Sequence, residues 1–326
     1  MKLFVVVVIY KMRPSESPTL QTLMKSIDRL LWLGERVSVL IWDNTPNGQD
    51  PGRLDPGVRY VSAPENPGLA KAYNHASEIA EAEGFEWLLT LDQDTRLPDD
   101  FVEKILEAVR GVQSEGKVAA IVPQVIGDNR PLSPFRFAGG ALPRLLPPGY
   151  AGMTESATYA VNSAATIRIA SLRQVGGYNP LFPLDISDID LFHRIHRAGM
   201  WVLVAGDVVV SHEFSLFKKQ GRMSVARYRS QLRDECAFWD MHMTWLARVE
   251  RMCRLAGRVC KDSLRPGNAA FQRITIGEIV RRLVTRRSKR IVEWNEWAFA
   301  RQSFADHGIA RTVSFAASIR TESISD

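Results

Sequence analysis

At 326 residues the chain is long enough for about two domains. Its 45% hydrophobic and 24% charged residues, with 22 Gly and 17 Pro, exclude a long disordered or collagen-like chain. The net charge of +6 is uneven: 20 Lys/Arg stand against 11 Asp/Glu from Arg222 onward, and 22 against 25 before it, so the C-terminal third suits an anionic surface, a nucleic acid or a phosphorylated substrate.

The first apolar run, residues 3–10, is eight residues long, where a membrane-crossing helix needs about 20. Lys11, Met12, Arg13 and Pro14 follow it in place of a small-residue cleavage site, so it is expected to be a buried strand rather than a signal peptide. Further strands are predicted at 37–42, 58–62, 87–91 and 119–122, and helices at 17–33, 69–82 and 99–112. That alternation implies an α/β fold with a mainly parallel sheet and covering helices, in which ligands bind beyond the carboxyl ends of the strands. Residues 123–153, rich in Pro and Gly, read as a long loop. Regular patterning resumes at 159–169, followed by a turn at Gly176-Gly177, a helix over 188–198, a strand over 201–210, and basic helical sequence beyond Ser215. Cys236, Cys253 and Cys260 form neither a CxxC pair nor a disulfide framework, which fits a reducing compartment, by default the cytoplasm.

Four clusters can carry chemistry. Asp92-Gln93-Asp94 closes a hydrophobic strand, where two carboxylates can hold a hard divalent cation that bridges substrate phosphates, or simply form a solvated turn. Asp185, Asp188 and Asp190 precede or open a helix, where acids serve as caps or, in one case, as a general base for an acceptor hydroxyl. Ser211-His212-Glu213 ends a strand. Asn66-Pro67-Gly68 opens a helix carrying Lys71 and Asn74, whose free N–H groups can receive a phosphate, although neither GxGxxG nor GxxxxGK[ST] spacing is present. His193 and His196, among arginines, read as a solvated helix face.

In chain order, the run ending at Tyr10, then Trp42-Asp43-Asn44-Thr45, Asn66-Pro67-Gly68 through Asn74, Leu91-Asp92-Gln93-Asp94-Thr95, Val175-Gly176-Gly177-Tyr178, the Asp185/Asp188/Asp190 helix start and Ser211-His212 resemble the family 2 glycosyltransferases of the GT-A fold, especially their rhamnosyltransferase-like branch. The resemblance covers about residues 1–235. It implies that Asp43 holds the nucleobase, Asp92 lies near the ribose, Asp94 binds a Mg²⁺ or Mn²⁺ ion on the diphosphate, His212 lies near that metal, and Asp188 is the catalytic base. Tyr10, Asn66, Gly68, Lys71, Asn74 and Gln93 fall in the donor cleft, and Arg227 and Arg233 in a basic segment that closes over the diphosphate. Lys11, Asn162-Ser163-Ala164 and Asp190 depart from the family's commoner residues, the first two in the expected cleft.

The implied activity is inverting, metal-dependent transfer of a sugar, rhamnose from dTDP-rhamnose in the first instance, to a saccharide or lipid-linked saccharide in cell-surface polysaccharide synthesis. A UDP-N-acetylhexosamine, UDP-galactose or UDP-glucose donor and a non-catalytic sugar-nucleotide-binding protein are the alternatives; nucleic acid is not an expected partner. The expected division is a catalytic domain over 1–215 and a helical region over 216–326. There, Val280, Leu283, Val284, Ile291, Trp294 and Ala298 would share one side of a helix, with Arg281, Arg282, Arg286, Arg287, Lys289 and Arg290 around the rest. Such a helix suits the inner face of the cytoplasmic membrane, the catalytic domain or a second subunit of a homodimer.

Overall fold

The computed structural model describes residues 2–30, 36–128, 130–137, 142–212, 223–265 and 267–301. The end of the predicted first helix and Glu213 lie outside them. The strands are β1 (Lys2–Ile9), β2 (Arg36–Asp43), β3 (Val58–Ser62), β4 (Trp87–Asp92), β5 (Thr95–Arg96), β6 (Val118–Gly127), β7 (Arg130–Ser133), β8 (Phe135–Phe137), β9 (Pro143–Leu145), β10 (Gly152–Thr154), β11 (Ala165–Arg168) and β12 (Trp201–His212). The helices are α1 (Pro18–Asp28), α2 (Leu69–Ala82), α3 (Phe101–Gly111), α4 (Ile169–Gln174), α5 (Ser187–Arg197), α6 (Val225–His242), α7 (Trp245–Ser263), α8 (Ala269–Val284) and α9 (287–301).

Among the described residues the main sheet runs β10-β12-β6-β11-β4-β1-β2-β3. β3, β2, β1 and β4 are mutually parallel; β11 runs antiparallel between β4 and β6, and β12 returns parallel to β6. β1 is apolar at every position after Lys2 because both its faces are covered. Phe4, Val6 and Val8 pack with Ala72, Tyr73 and Ala76 of α2, while Leu3, Val5 and Val7 pack with Leu20, Leu23 and Phe101 from α1 and α3. The stretch 123–153 is not the long loop expected: β6 continues to Gly127, and β7 to β10 follow as strands of three or four residues. Strands that short, broken by Pro and Gly, leave no alternating pattern to read.

The single C-terminal helix expected around 280–298 is two helices. α8 ends at Val284, Thr285 is extended (φ −111°, ψ 129°), and α9 begins two residues later. Trp294 and Ala298 are therefore buried, the Trp294 ring 4.7 Å from that of Phe182, whereas Val280, Leu283 and Val284 are exposed on a different helix. The arginines are not uniformly solvated either. Arg282 and Arg290 are buried on Asp240 of α6, with Nη2–Oδ2 and Nη2–Oδ1 distances of 2.9 and 2.8 Å, and Arg282 also reaches Glu278. Removing the acid would take a shared carboxylate from two buried guanidiniums. Asp240→Ala is expected to cost about 3–5 kcal/mol in urea unfolding, the range for breaking buried ion pairs; a loss under ~1 kcal/mol would show that water replaces the carboxylate.

Candidate active site

The register of the sheet assembles the site from distant segments. β5 pairs antiparallel with the end of β12, setting His212 opposite Thr95, so Asp94 and His212 meet beyond the strand ends. Asp94 is 4% exposed, and its Oδ1 lies 3.5 Å from His212 Nε2. The imidazole is oriented from its other side, with Nδ1 3.1 Å from Thr95 Oγ1. Thr19 holds the turn between them: its hydroxyl accepts from Thr95 N–H and donates to Asp92 O at 2.6 Å. Two neighbouring carboxylates are thus directed differently. Asp92 Oδ1 accepts from the Tyr73 hydroxyl at 3.2 Å and Oδ2 from the Ser163 hydroxyl at 2.6 Å. Burial and the Asp92 charge push the Tyr73 phenol well above its usual pKa, which keeps it a neutral donor.

An acid and an imidazole facing each other, with the imidazole fixed by a hydroxyl, fit a divalent ion that takes its other ligands from water and phosphate. No group of three or more His, Cys, Asp or Glu among the described residues forms a complete metal cage. The fit is to an ion shared with a ligand.

Asp188 lies in the first turn of α5, after Ile186, which adopts a left-handed conformation (φ 69°) at the N-cap position. Its Oδ1 accepts from Ile189 N–H at 2.7 Å. Desolvation lifts this carboxyl to about 7, against the opposing effect of that hydrogen bond, and the charges of Asp92 and Asp185 add to the rise. Asp185 is raised by burial despite an ion pair of 2.9 Å with Arg227. Asp190, 1% exposed, pairs with Arg194 at 2.8 Å, and Arg194 also donates to the carbonyls of Val175 and Gly177, so this acid anchors the Gly-Gly turn. His193 is not on a solvated face: its ring lies 4.6 Å from that of His242, and burial lowers its pKa to about 4.

A cavity of about 210 Å³ is lined by Asn66, Gly68, Lys71 and Asp185, and by Arg227 and Arg301 from the helical region. Its floor depends on Gly68. The residue has φ 91° and ψ −178°, and the N–H groups of Leu69 and Ala70 donate to Pro183 O at 2.6 and 3.3 Å. A Cβ here would stand 2.4 Å from that same oxygen. Gly68→Ala combines a backbone region almost confined to glycine with a clash, and is expected to lower stability by at least about 1–3 kcal/mol, read as a fall in Tm; an unchanged Tm would mean the turn can move away from Pro183.

The other sequence candidates are not among the residues that line this cavity. The Tyr10 backbone N–H donates to Gln93 Oε1 at 2.7 Å, tying the end of β1 to the end of β4. Asp43 is fully buried, with Oδ1 accepting from Thr45 N–H and Oδ2 from the Tyr60 hydroxyl; a carboxylate's remaining lone pairs are what it could offer a base. Asn74 exchanges two hydrogen bonds with the backbone of Tyr178 and so braces the Gly176-Gly177 turn. Arg233 lies over the Trp297 ring, 4.3 Å from its centroid, and does not line the cavity. Sequence reading gave no role to Tyr73, which lies within the stretch from Asn66 to Asn74, or to Arg301, whose isolated position carries no signal. Ser163 was marked only as a departure from the commoner family residue.

A comparison with protein families finds a match in the N-terminal part of the chain. Residues 7–151 match glycosyl transferase family 2. The matched segment includes Asp43, Asn66, Gly68, Asp92 and Asp94, whereas Asp188, His212 and Arg227 lie beyond it. No curated protein matches the chain by sequence. Among solved structures, GalNAc-T7 with UDP, GalNAc and Mn²⁺ superposes with a TM-score of 0.51 at 14% identity, over 74% of this chain and 49% of that one. Staphylococcus aureus TarS residues 1–349 in complex with UDP gives 0.47 at 14% identity over 77% and 69% of the respective chains. The chain thus spans about half the length of the GalNAc-T7 structure, and the likeness shows a GT-A-like α/β fold.

Proposed function

We propose that the chain transfers a sugar from a nucleoside-diphosphate donor to a saccharide hydroxyl, with inversion at the anomeric carbon. The observations that support this reading are the pairing of Asp94 with His212 beyond the strand ends and a carboxylate, Asp188, that is lifted to about 7 and feels the charge of Asp92. A carboxylate with that pKa is poised to accept a proton from an acceptor hydroxyl near neutral pH. Asp92 is held in place by Tyr73 and Ser163 and kept available for the donor's ribose, while Asp43 and Tyr60 shape the base end of the cleft.

Asp94 and His212 would hold the Mg²⁺ or Mn²⁺ ion, which when bound supplies the positive charge that neutralises a departing diphosphate. Lys71 and Arg227 border the cavity that Asp185 also lines, where they can orient donor or acceptor oxygens. Asp188 takes the acceptor's proton on the face of the sugar opposite the leaving group. A single displacement needs no protein nucleophile. The motif order favours dTDP-rhamnose as donor and a saccharide or lipid-linked saccharide as acceptor, in the cytoplasm; UDP, present in the GalNAc-T7 structure, marks the alternative donor class.

A thermal-shift screen of dTDP, UDP and GDP, each with and without Mn²⁺ or Mg²⁺, tests the reading, because a ligand that binds the native state raises Tm by mass action. The expected result is a metal-dependent rise with one diphosphate, dTDP under the first reading. No rise with any of them would remove the nucleotide site.

A further inference from the structure

α7 and α8 form a helical hairpin whose outer face is apolar along its length. On α7, Leu246, Val249, Cys253 and Cys260 recur at spacings of three, four and seven, and so share one line along the helix. All four are exposed, and Leu264 extends the line at 84% exposure. On α8, Ile276, Val280, Leu283 and Val284 make a second exposed line, the last two at 74% and 77%. Met252 and Ile279, each next to its line, turn inward onto the Leu232–Cys236–Leu255 core, which sets both lines on the outer side of the seam between the helices. The antiparallel hairpin brings the start of α7, including Trp245 at 64% exposure, beside the end of α8. Core residues face inward on both helices, so this second apolar face has no role in the packing described above.

We infer that this face docks on an anionic phospholipid surface. Charge selects that occupant over a second copy of the chain. Residues 245–290 contain 13 Lys/Arg and 3 Asp/Glu. Several of the arginines are neutralised internally, Arg282 and Arg290 by Asp240 and Arg251 by Glu235. Those at the two ends of the apolar face are exposed: Lys261, Arg265 and Arg273 near the connecting turn, and Arg286 and Lys289 beyond α8. Two such faces brought together would oppose like charges, whereas anionic headgroups would meet basic ends with aliphatic side chains between them and Trp245 at one margin. No helix among the described residues is long and apolar enough to cross a membrane, so the contact lies along the surface.

Co-sedimentation of the full chain with phosphatidylcholine vesicles, with and without phosphatidylglycerol, tests this. The expected result is binding only to the vesicles with phosphatidylglycerol, weakening as salt rises. The double substitution Leu283→Glu with Val284→Glu should lower the partition coefficient at least about tenfold, since each charge near the surface counts, and should leave the thermal shift with nucleoside diphosphate unchanged. That second readout separates this surface from the sugar-nucleotide site. If the double variant fails to fold, Arg286→Glu with Lys289→Glu replaces it, with the same expected loss. Recovery of the wild type in the supernatant at low salt would overturn the inference. So would binding that ignores Leu283→Glu with Val284→Glu, or a dimer in solution that this substitution dissociates.

Discussion

Asp188→Asn is expected to keep nucleoside-diphosphate binding and to lower sugar transfer by roughly 10²–10⁴-fold, the usual cost of losing a general base. The amide can still accept from Ile189 N–H, so the start of α5 keeps its conformation, but it takes no proton at neutral pH. The wild-type pH profile belongs to the same prediction. With the carboxyl at about 7, kcat/KM should rise as pH increases through 7 and level off above it, and the residual rate of Asp188→Asn should lack that step. The stability effect has the opposite sign. An acid whose folded pKa is raised binds more protons folded than unfolded, so the wild type loses stability as pH rises from about 4 to 7. Asp188→Asn should therefore have the higher Tm at pH 8, with the difference gone near pH 4. A variant within threefold of the wild-type rate would make Asp188 a helix-start residue and nothing more.

Asp94→Ala is expected to abolish the metal-dependent part of nucleoside-diphosphate affinity, because the carboxylate facing His212 is removed. Even residues behind the direct ligands typically cost 10–100-fold in metal affinity, so a loss of at least about that size should appear in calorimetric titration with Mn²⁺. The fold should persist, since Asp94 sits beyond the end of β4 rather than within the sheet. Affinity equal to wild type, with the same metal response, would move the cation elsewhere in the cleft.

Much of the N-terminal half was legible in the sequence. Residues 58–62 and 69–82 were predicted with the bounds found in β3 and α2, because a β-branched run and a helical period of apolar residues are local signals. The acids at the ends of β2 and β4 were legible for the same reason: a polar residue interrupting a buried strand stands out. Pairing across distance was not. Nothing local tells that Tyr60 engages Asp43, that Asn74 braces the turn before Tyr178, or that Arg282 and Arg290 converge on Asp240, 42 and 50 residues away. The arginine-rich segment read as one helix with its arginines set around an apolar side, because charge within a window is visible and the partner outside it is not. His193 was misread similarly; the neighbours that bury it, Tyr159, Phe238 and His242, come from other elements.

The most direct measurement of inverting transfer with Asp188 as base is the anomeric configuration of the first-formed product, followed by proton NMR during turnover of the nucleotide sugar that the thermal-shift screen selects. The expected result is a product of opposite anomeric configuration to the donor, formed at a rate that Asp188→Asn suppresses. A product that keeps the donor's configuration would require a different catalytic arrangement and contradict the single displacement proposed for this cleft.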